Sequence, residues 1–169
     1  YGDLWRLPLG ADGHTLDSSQ PLTRTGGDTE WYAAFSPDGS KVIYSASWEG
    51  APERELYSVR VESPESLRLN LPNRWIEAIS RTGEMLVLDP LPLSRGYAII
   101  GTLSQAPLSG SASRELLEDV GSADWSPDGA SLAVVRAPQW RYRLEFPAGK
   151  VLYETTGYIS HPRVSTKGD

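Results

Sequence analysis

The stretch Ala34-Phe35-Ser36-Pro37-Asp38-Gly39 returns as Asp124-Trp125-Ser126-Pro127-Asp128-Gly129, and this repetition decides how the rest of the chain is read. Two degenerate copies extend it: Ala78-Ile79-Ser80-Arg81-Thr82-Gly83, and Arg163-Val164-Ser165-Thr166-Lys167-Gly168. Aligned on Ser36, Ser80, Ser126 and Ser165, the copies lie 44, 46 and 39 residues apart, a spacing that accommodates four short strands per unit. The motif has the chemistry of a tight turn. Proline presets φ, aspartate bonds back to its own backbone, and glycine takes the positive dihedral that other residues resist. Pro37, Asp38, Gly39, Gly83, Pro127, Asp128, Gly129 and Gly168 are therefore the expected turn-formers.

An apolar run follows each turn: Lys41-Val42-Ile43-Tyr44, Glu84-Met85-Leu86-Val87-Leu88, and Ser131-Leu132-Ala133-Val134-Val135. Rich in β-branched residues, these runs read as the buried second strand of each unit. Third strands are expected at 55–61, 100–106 and 142–146, and fourth strands at 66–70, 114–118 and 150–154. Residues 113–120 are the one stretch that also admits a short helix. Near the amino end, 4–9 reads as a third strand and 20–24 as a fourth. The chain thus divides into a partial blade (1–24), three blades (25–72, 73–120 and 121–160), and the first strand of another (161–169). The expected fold is all-β, with β-propeller blades of four antiparallel strands, three complete and partial ones at both ends, as in an excerpt of a larger propeller.

Composition narrows the function classes. With 16 Lys+Arg against 22 Asp+Glu the net charge is −6, which argues against nucleic-acid binding. No stretch approaches the roughly 18 apolar residues of a membrane span, so no direct membrane insertion is expected, and the opening Tyr1-Gly2-Asp3 is not a signal peptide. Absence of cysteine excludes disulfides and thiolate sites, and with only His14 and His161 neither a metal nor a cofactor is expected. Asp38 and Asp128 stand singly in their turns, unlike the clustered oxygens that calcium needs. No catalytic residues are expected either. Gly129-Ala130-Ser131 is a turn-to-strand junction with no helix after it, and the neighbours Ser160 and His161 point to opposite faces of a strand.

The two full turns, each after an aromatic residue and before an apolar strand, resemble the repeat of TolB-like, WD-repeat-like β-propellers. A narrower resemblance runs from Arg143-Leu144-Glu145-Phe146-Pro147 through Lys150-Val151-Leu152-Tyr153-Glu154 to Ile159–Ser165, together with Glu118-Asp119-Val120 and Asp124-Trp125-Ser126. It is to the propeller region that follows the catalytic domain of certain bacterial serine/threonine protein kinases. The kinase signatures themselves (a Gly-rich loop, His-Arg-Asp, Asp-Phe-Gly) do not occur in this sequence.

In such propellers the loops leading into first strands share a face with those joining second to third strands. This implies a binding face of Trp31, Trp48, Trp75, Tyr97 and Trp140 with Arg54, Arg74, Arg95 and Arg141. Trp and Arg are enriched in binding hot spots, while packing between blades is the competing role for the aromatics. The resemblance implies a non-catalytic binding or sensor module with a protein or small-molecule ligand, fused to a kinase and contacting the rest of a parent propeller in the same chain. The alternatives are the substrate-gating propeller of a prolyl-oligopeptidase-like peptidase and a TolB-like periplasmic scaffold. The resemblance alone favours an extracytoplasmic location.

Overall fold

The computed structural model describes residues 3–23, 29–47, 54–63, 65–91 and 99–168. A short hairpin, β1 (Trp5–Arg6) with β2 (Gln20–Pro21), precedes a four-stranded antiparallel sheet of β3 (Thr29–Phe35), β4 (Lys41–Ser47), β5 (Glu55–Arg60) and β6 (Ser66–Pro72). A seven-stranded antiparallel sheet follows in sequence order: β7 (Trp75–Ile79), β8 (Glu84–Pro90), β9 (Gly101–Pro107), β10 (Arg114–Trp125), β11 (Leu132–Arg136), β12 (Tyr142–Glu145) and β13 (Val151–Thr155).

These sheets are the three blades. The seven-stranded one is two blades joined by β10, whose first part pairs with β9 as an outer strand and whose second part pairs with β11 as an inner strand. Between the first and second blades the chain breaks instead. Pro72 cannot donate to a ladder, and Asn73 turns at φ 54°. At the second junction no proline intervenes, and the bend is taken up by register shifts on both sides of Val120 and by Asp119 at φ 56°. Residues 113–120 are therefore extended rather than helical, because Arg114 to Val120 find a ladder on β9.

Second strands are buried on both faces because blades stack. In β4, Val42, Tyr44 and Ala46 pack with Leu22 and Leu4 of the amino-terminal hairpin, while Ile43 packs with Ile76, Met85 and Val87 of the next blade. In β8 the alternation repeats: Met85 and Val87 face the first blade, and Leu86 and Leu88 join Val120, Ala123 and Val134 toward the third. Each such side chain contributes roughly 1.5–3 kcal/mol on burial, so the stacking faces hold the arc together.

The end segments depart from regular strands. Residues 4–9 form only the two-residue β1, since Leu9 turns back to bridge Thr15. Arg24 lies outside the described residues. Residues 161–165 run beside β10 without a ladder. Pro162 has no N–H, and the amides of His161 and Val164 are taken by Ser122 Oγ (3.1 Å) and Asp124 Oδ2 (3.0 Å). β1 pairs with β2 and not with the segment near Val164, so the described residues form an open arc.

All four turns keep one geometry. Gly39, Gly83, Gly129 and Gly168 have φ of 69°, 85°, 70° and 90°, and each donates its N–H to the carbonyl of its aligned serine at 2.8–3.0 Å. In the full copies Asp38 and Asp128 accept from Ser36 and Ser126 Oγ at 2.6 and 2.5 Å and from the amides two residues on at 3.0 Å. At the first degenerate copy Thr82 takes the aspartate's place, 2.9 Å from Ser80 Oγ. The serine hydroxyl, receiving the amide of Lys41, Glu84 or Ser131, is the shared element of these three.

Candidate functional site

Within the arc the inner strands lie side by side, β3 against β7 and β7 against β10, with residues 161–165 beyond. Two of these strands carry a bulge, four residues ahead of the aligned serine in β3 and three ahead of it in β7. Tyr32 is the extra residue between the Trp31↔Ser45 and Ala33↔Tyr44 pairs, and Glu77 the extra residue between Ile76↔Val87 and Ala78↔Leu86. A bulge re-aims its side chain out of the regular alternation. Tyr32 sits at φ 46° and His161 at φ 52°, both four residues ahead of their aligned serines. A positive φ on a bulky residue costs of order 1–3 kcal/mol and persists only where packing imposes it.

The bulges bring a set of polar and aromatic groups together. The Tyr32 ring meets Trp75 edge-on at 4.8 Å and lies nearly parallel to His161, at 12° and 6.4 Å. The Arg54 guanidinium covers the Trp75 ring, 4.5 Å from its centroid, and the Arg54 carbonyl is held by Asn73 N–H at 2.7 Å. Glu77 accepts from Ala123 N–H at 3.4 Å. Burial pushes the Glu77 carboxyl up to about 8, against the opposing pull of that amide and of Arg163. Tyr32 is raised too, first by burial and then by Glu77 and Tyr158. Near neutral pH this neighbourhood therefore holds a carboxylic acid that can donate a hydrogen bond, flanked by phenol, imidazole and guanidinium groups.

Of the nine residues of the expected binding face, Arg54, Arg74, Trp75, Trp140 and Arg141 have described side chains. Trp75 and Arg54 belong to the cluster, but Trp75 is 4% exposed and packs against Leu86, Leu103 and Val120. Arg74 pairs with Asp89. Arg141 pairs with Glu154, and its neighbour Trp140 is 39% exposed on a single 3-10 turn (Pro138–Trp140). Trp48, Arg95 and Tyr97 lie outside the described residues, as does the side chain of Trp31. Tyr32, Glu77 and His161 were not among the expected residues. The available signal was the charged residue inside Trp75-Ile76-Glu77-Ala78-Ile79, an otherwise apolar inner strand.

At the opposite end of the blades the turns form two matching clefts. One, of about 280 Å³, lies between Ser36-Pro37-Asp38 and Arg81-Thr82-Gly83; the other, of about 250 Å³, lies between Ser126-Pro127-Asp128 and Thr166-Lys167-Gly168. No group of three His, Asp or Glu side chains capable of holding a metal ion occurs among the described residues.

No family model and no curated protein matches the sequence. Solved structures do match its fold. A putative TolB from Agrobacterium tumefaciens superposes with a TM-score of 0.60 at 15% identity, over 80% of this chain and 52% of that one. Oligogalacturonate lyase from Vibrio parahaemolyticus gives 0.56 at 13%, over 76% and 37%. The β-propeller domain of the Trilobed protease from Pyrococcus furiosus gives 0.52 at 14%, over 76% and 42%. The chain thus spans about a third to a half of the structures it resembles. The narrower resemblance to kinase-linked propellers finds no support in these likenesses. At such identities the likeness speaks of fold alone: the stacked four-stranded blades have a β-propeller architecture similar to that of TolB and other propeller proteins.

Proposed function

We propose that the chain is a non-catalytic binding module and that the cluster of Tyr32, Arg54, Trp75, Glu77 and His161 is its recognition site. The observation that carries this reading is the convergence of three inner segments around the Glu77 carboxyl, which burial pushes up to about 8. An acid of this kind recognises an acceptor in a ligand, and the rings of Tyr32 and His161 supply apolar contact. Among the described residues no set of nucleophile, base and oxyanion donors is assembled around it, and binding rather than turnover is therefore the reading. A TolB-like scaffold role is a second reading, supported by the likeness to the Agrobacterium protein. Fusion to a kinase rests on the sequence resemblance alone, and the full reading frame decides it.

The test is a thermal-shift screen of free amino acids, short peptides and acidic oligosaccharides against the wild-type chain and Glu77→Gln and Tyr32→Ala variants. A compound that raises the wild-type melting temperature but not that of the folded variants supports the assignment. Responses identical in all three proteins, or turnover lost in the variants, would refute it.

A further inference from the structure

We propose that β13 is a self-association edge, across which a second copy of this chain pairs antiparallel about Leu152. β13 closes the seven-stranded sheet, with β12 on one side and no strand on the other among the described residues. Three consecutive large side chains on it are exposed: Val151 at 48%, Leu152 at 55% and Tyr153 at 59%. An open edge with such residues is a template for another strand, and natural edges are guarded against this by lysine, proline or a bulge.

Two guards are present, a bulge and a lysine, and the lysine does not oppose a partner with the same sequence. Leu152 is the extra residue of a bulge between Leu144↔Tyr153 and Glu145↔Val151. Lys150 and Glu154 stand two residues to either side of it. A two-fold axis through Leu152 sets Val151 opposite Tyr153 of the second copy and Lys150 opposite its Glu154, and the symmetry makes each pair twice. Aromatic against β-branched and opposite charges across strands are both favourable pairings. Glu154 is already oriented on its own blade, by Arg141 at 2.6 Å and Arg143 at 2.5 Å, which hold its carboxyl below the usual range. The Lys150 amide is fixed on the Pro147 carbonyl at 2.9 Å.

The outer strands of the other two blades lack this complementarity. A two-fold axis through Leu117 in β10 brings Glu115 against Asp119, like charges directly opposed. An axis through Leu69 in β6 brings Arg68 against Asn70, and β6 ends on Pro72. Charge pattern therefore selects β13 and selects a copy of itself.

Sedimentation velocity over a concentration series on the 169-residue chain tests this. The wild type is expected to dimerise. Lys150→Glu alone and Glu154→Lys alone are expected to be monomeric, because each brings like charges together at both ends of the strand pair. Mixing the two variants is expected to restore a dimer, since every facing pair is then of opposite charge. Leu152→Lys, which leaves Glu154 with its arginines, is also expected to lose the dimer. Circular dichroism verifies that each variant is folded; should Glu154→Lys not fold, Lys150→Glu and Leu152→Lys decide. A wild type that stays monomeric throughout, a dimer that survives either of those two substitutions, or a mixture of folded variants that stays monomeric overturns the proposal.

Discussion

Asp38 and Glu77 are carboxylates on adjacent blades, one in the turn after an inner strand and one within such a strand, and the fold moves them in opposite directions. Asp38 is fully exposed, and hydrogen bonds from Ser36 and Ser40 hold its carboxyl at about 2. Glu77 has one amide donor at 3.4 Å and is pushed up to about 8 by burial. The difference is one of donors supplied against water removed. A turn can aim several short O–H and N–H groups at one oxygen, whereas an inner strand has already committed its amides to a ladder. The turn end is thus built to keep a charge, and the inner-strand end to suppress one.

The largest expected effect comes from breaking that contrast at Glu77. Its folded value lies above the ordinary 4.5, so its contribution is fully present below about pH 4.5 and is lost as pH rises through about 8. The upper limit of the loss is about 5 kcal/mol, from 1.36 kcal/mol per unit. Glu77→Gln keeps an oxygen for the Ala123 amide and cannot ionise. The variant and the wild type are expected to melt alike at about pH 4, below the ordinary value, and the variant several degrees higher at pH 9. Equal melting temperatures at pH 9 would show that Glu77 does not resist ionisation.

A smaller effect sharpens the turn side of the comparison. Gly39 at φ 69° has nothing within 4 Å of where a Cβ would stand, while at Gly83, φ 85°, that Cβ meets Leu108 Cδ1 at 3.2 Å. Gly39→Val is expected to cost about 1–3 kcal/mol from backbone strain alone. Gly83→Val is expected to cost more, because Leu108 must also give way. Urea midpoints of the two variants measure this. If Gly39→Val were the more damaging, the close approach of Leu108 would not matter to the degenerate turn.

The same contrast explains which parts of the fold are legible in the sequence. The blades were legible because a turn writes its requirements locally: Pro37, Asp38 and Gly39 each meet a need within four residues, and the apolar run after them needs only to be buried on both faces. The continuity of β10 was less visible. Asp119-Val120-Gly121 looks like an ordinary junction, and its joining of two blades depends on what β9 and β11 offer to either side. The clustering of Tyr32, Glu77 and His161 was not legible, because a bulge inside an inner strand leaves no turn residue behind and the contacts join residues up to 129 positions apart (161 less 32). Trp75 drew attention as an aromatic near Arg54; sequence could not tell that Arg54 would cover it and Leu86 pack beneath it.

The smallest expected effect is at Asp38, where the sign is the reverse of that at Glu77. Its folded value lies below the ordinary 3.8, so the stability it contributes is present above about pH 4 and is lost as pH falls toward about 2. Asp38→Asn retains the side-chain oxygen that accepts from Ser36 and Ser40 but removes the charge that strengthens those bonds. The variant is expected to be modestly less stable than the wild type at pH 6, with the gap closing as both are taken to pH 2.5. Asp128→Asn should follow the same course, since Ser126 and the Ala130 amide lower that carboxyl in the same way. Thermal melts of both variants at the two pH values decide the matter. The gap must close on acidification for these turns, whereas the Glu77→Gln gap opens on alkalinisation. A gap at Asp38 unchanged between pH 6 and pH 2.5 would mean that the turn is held by Ser36 and Gly39 alone and that its aspartate charge adds nothing.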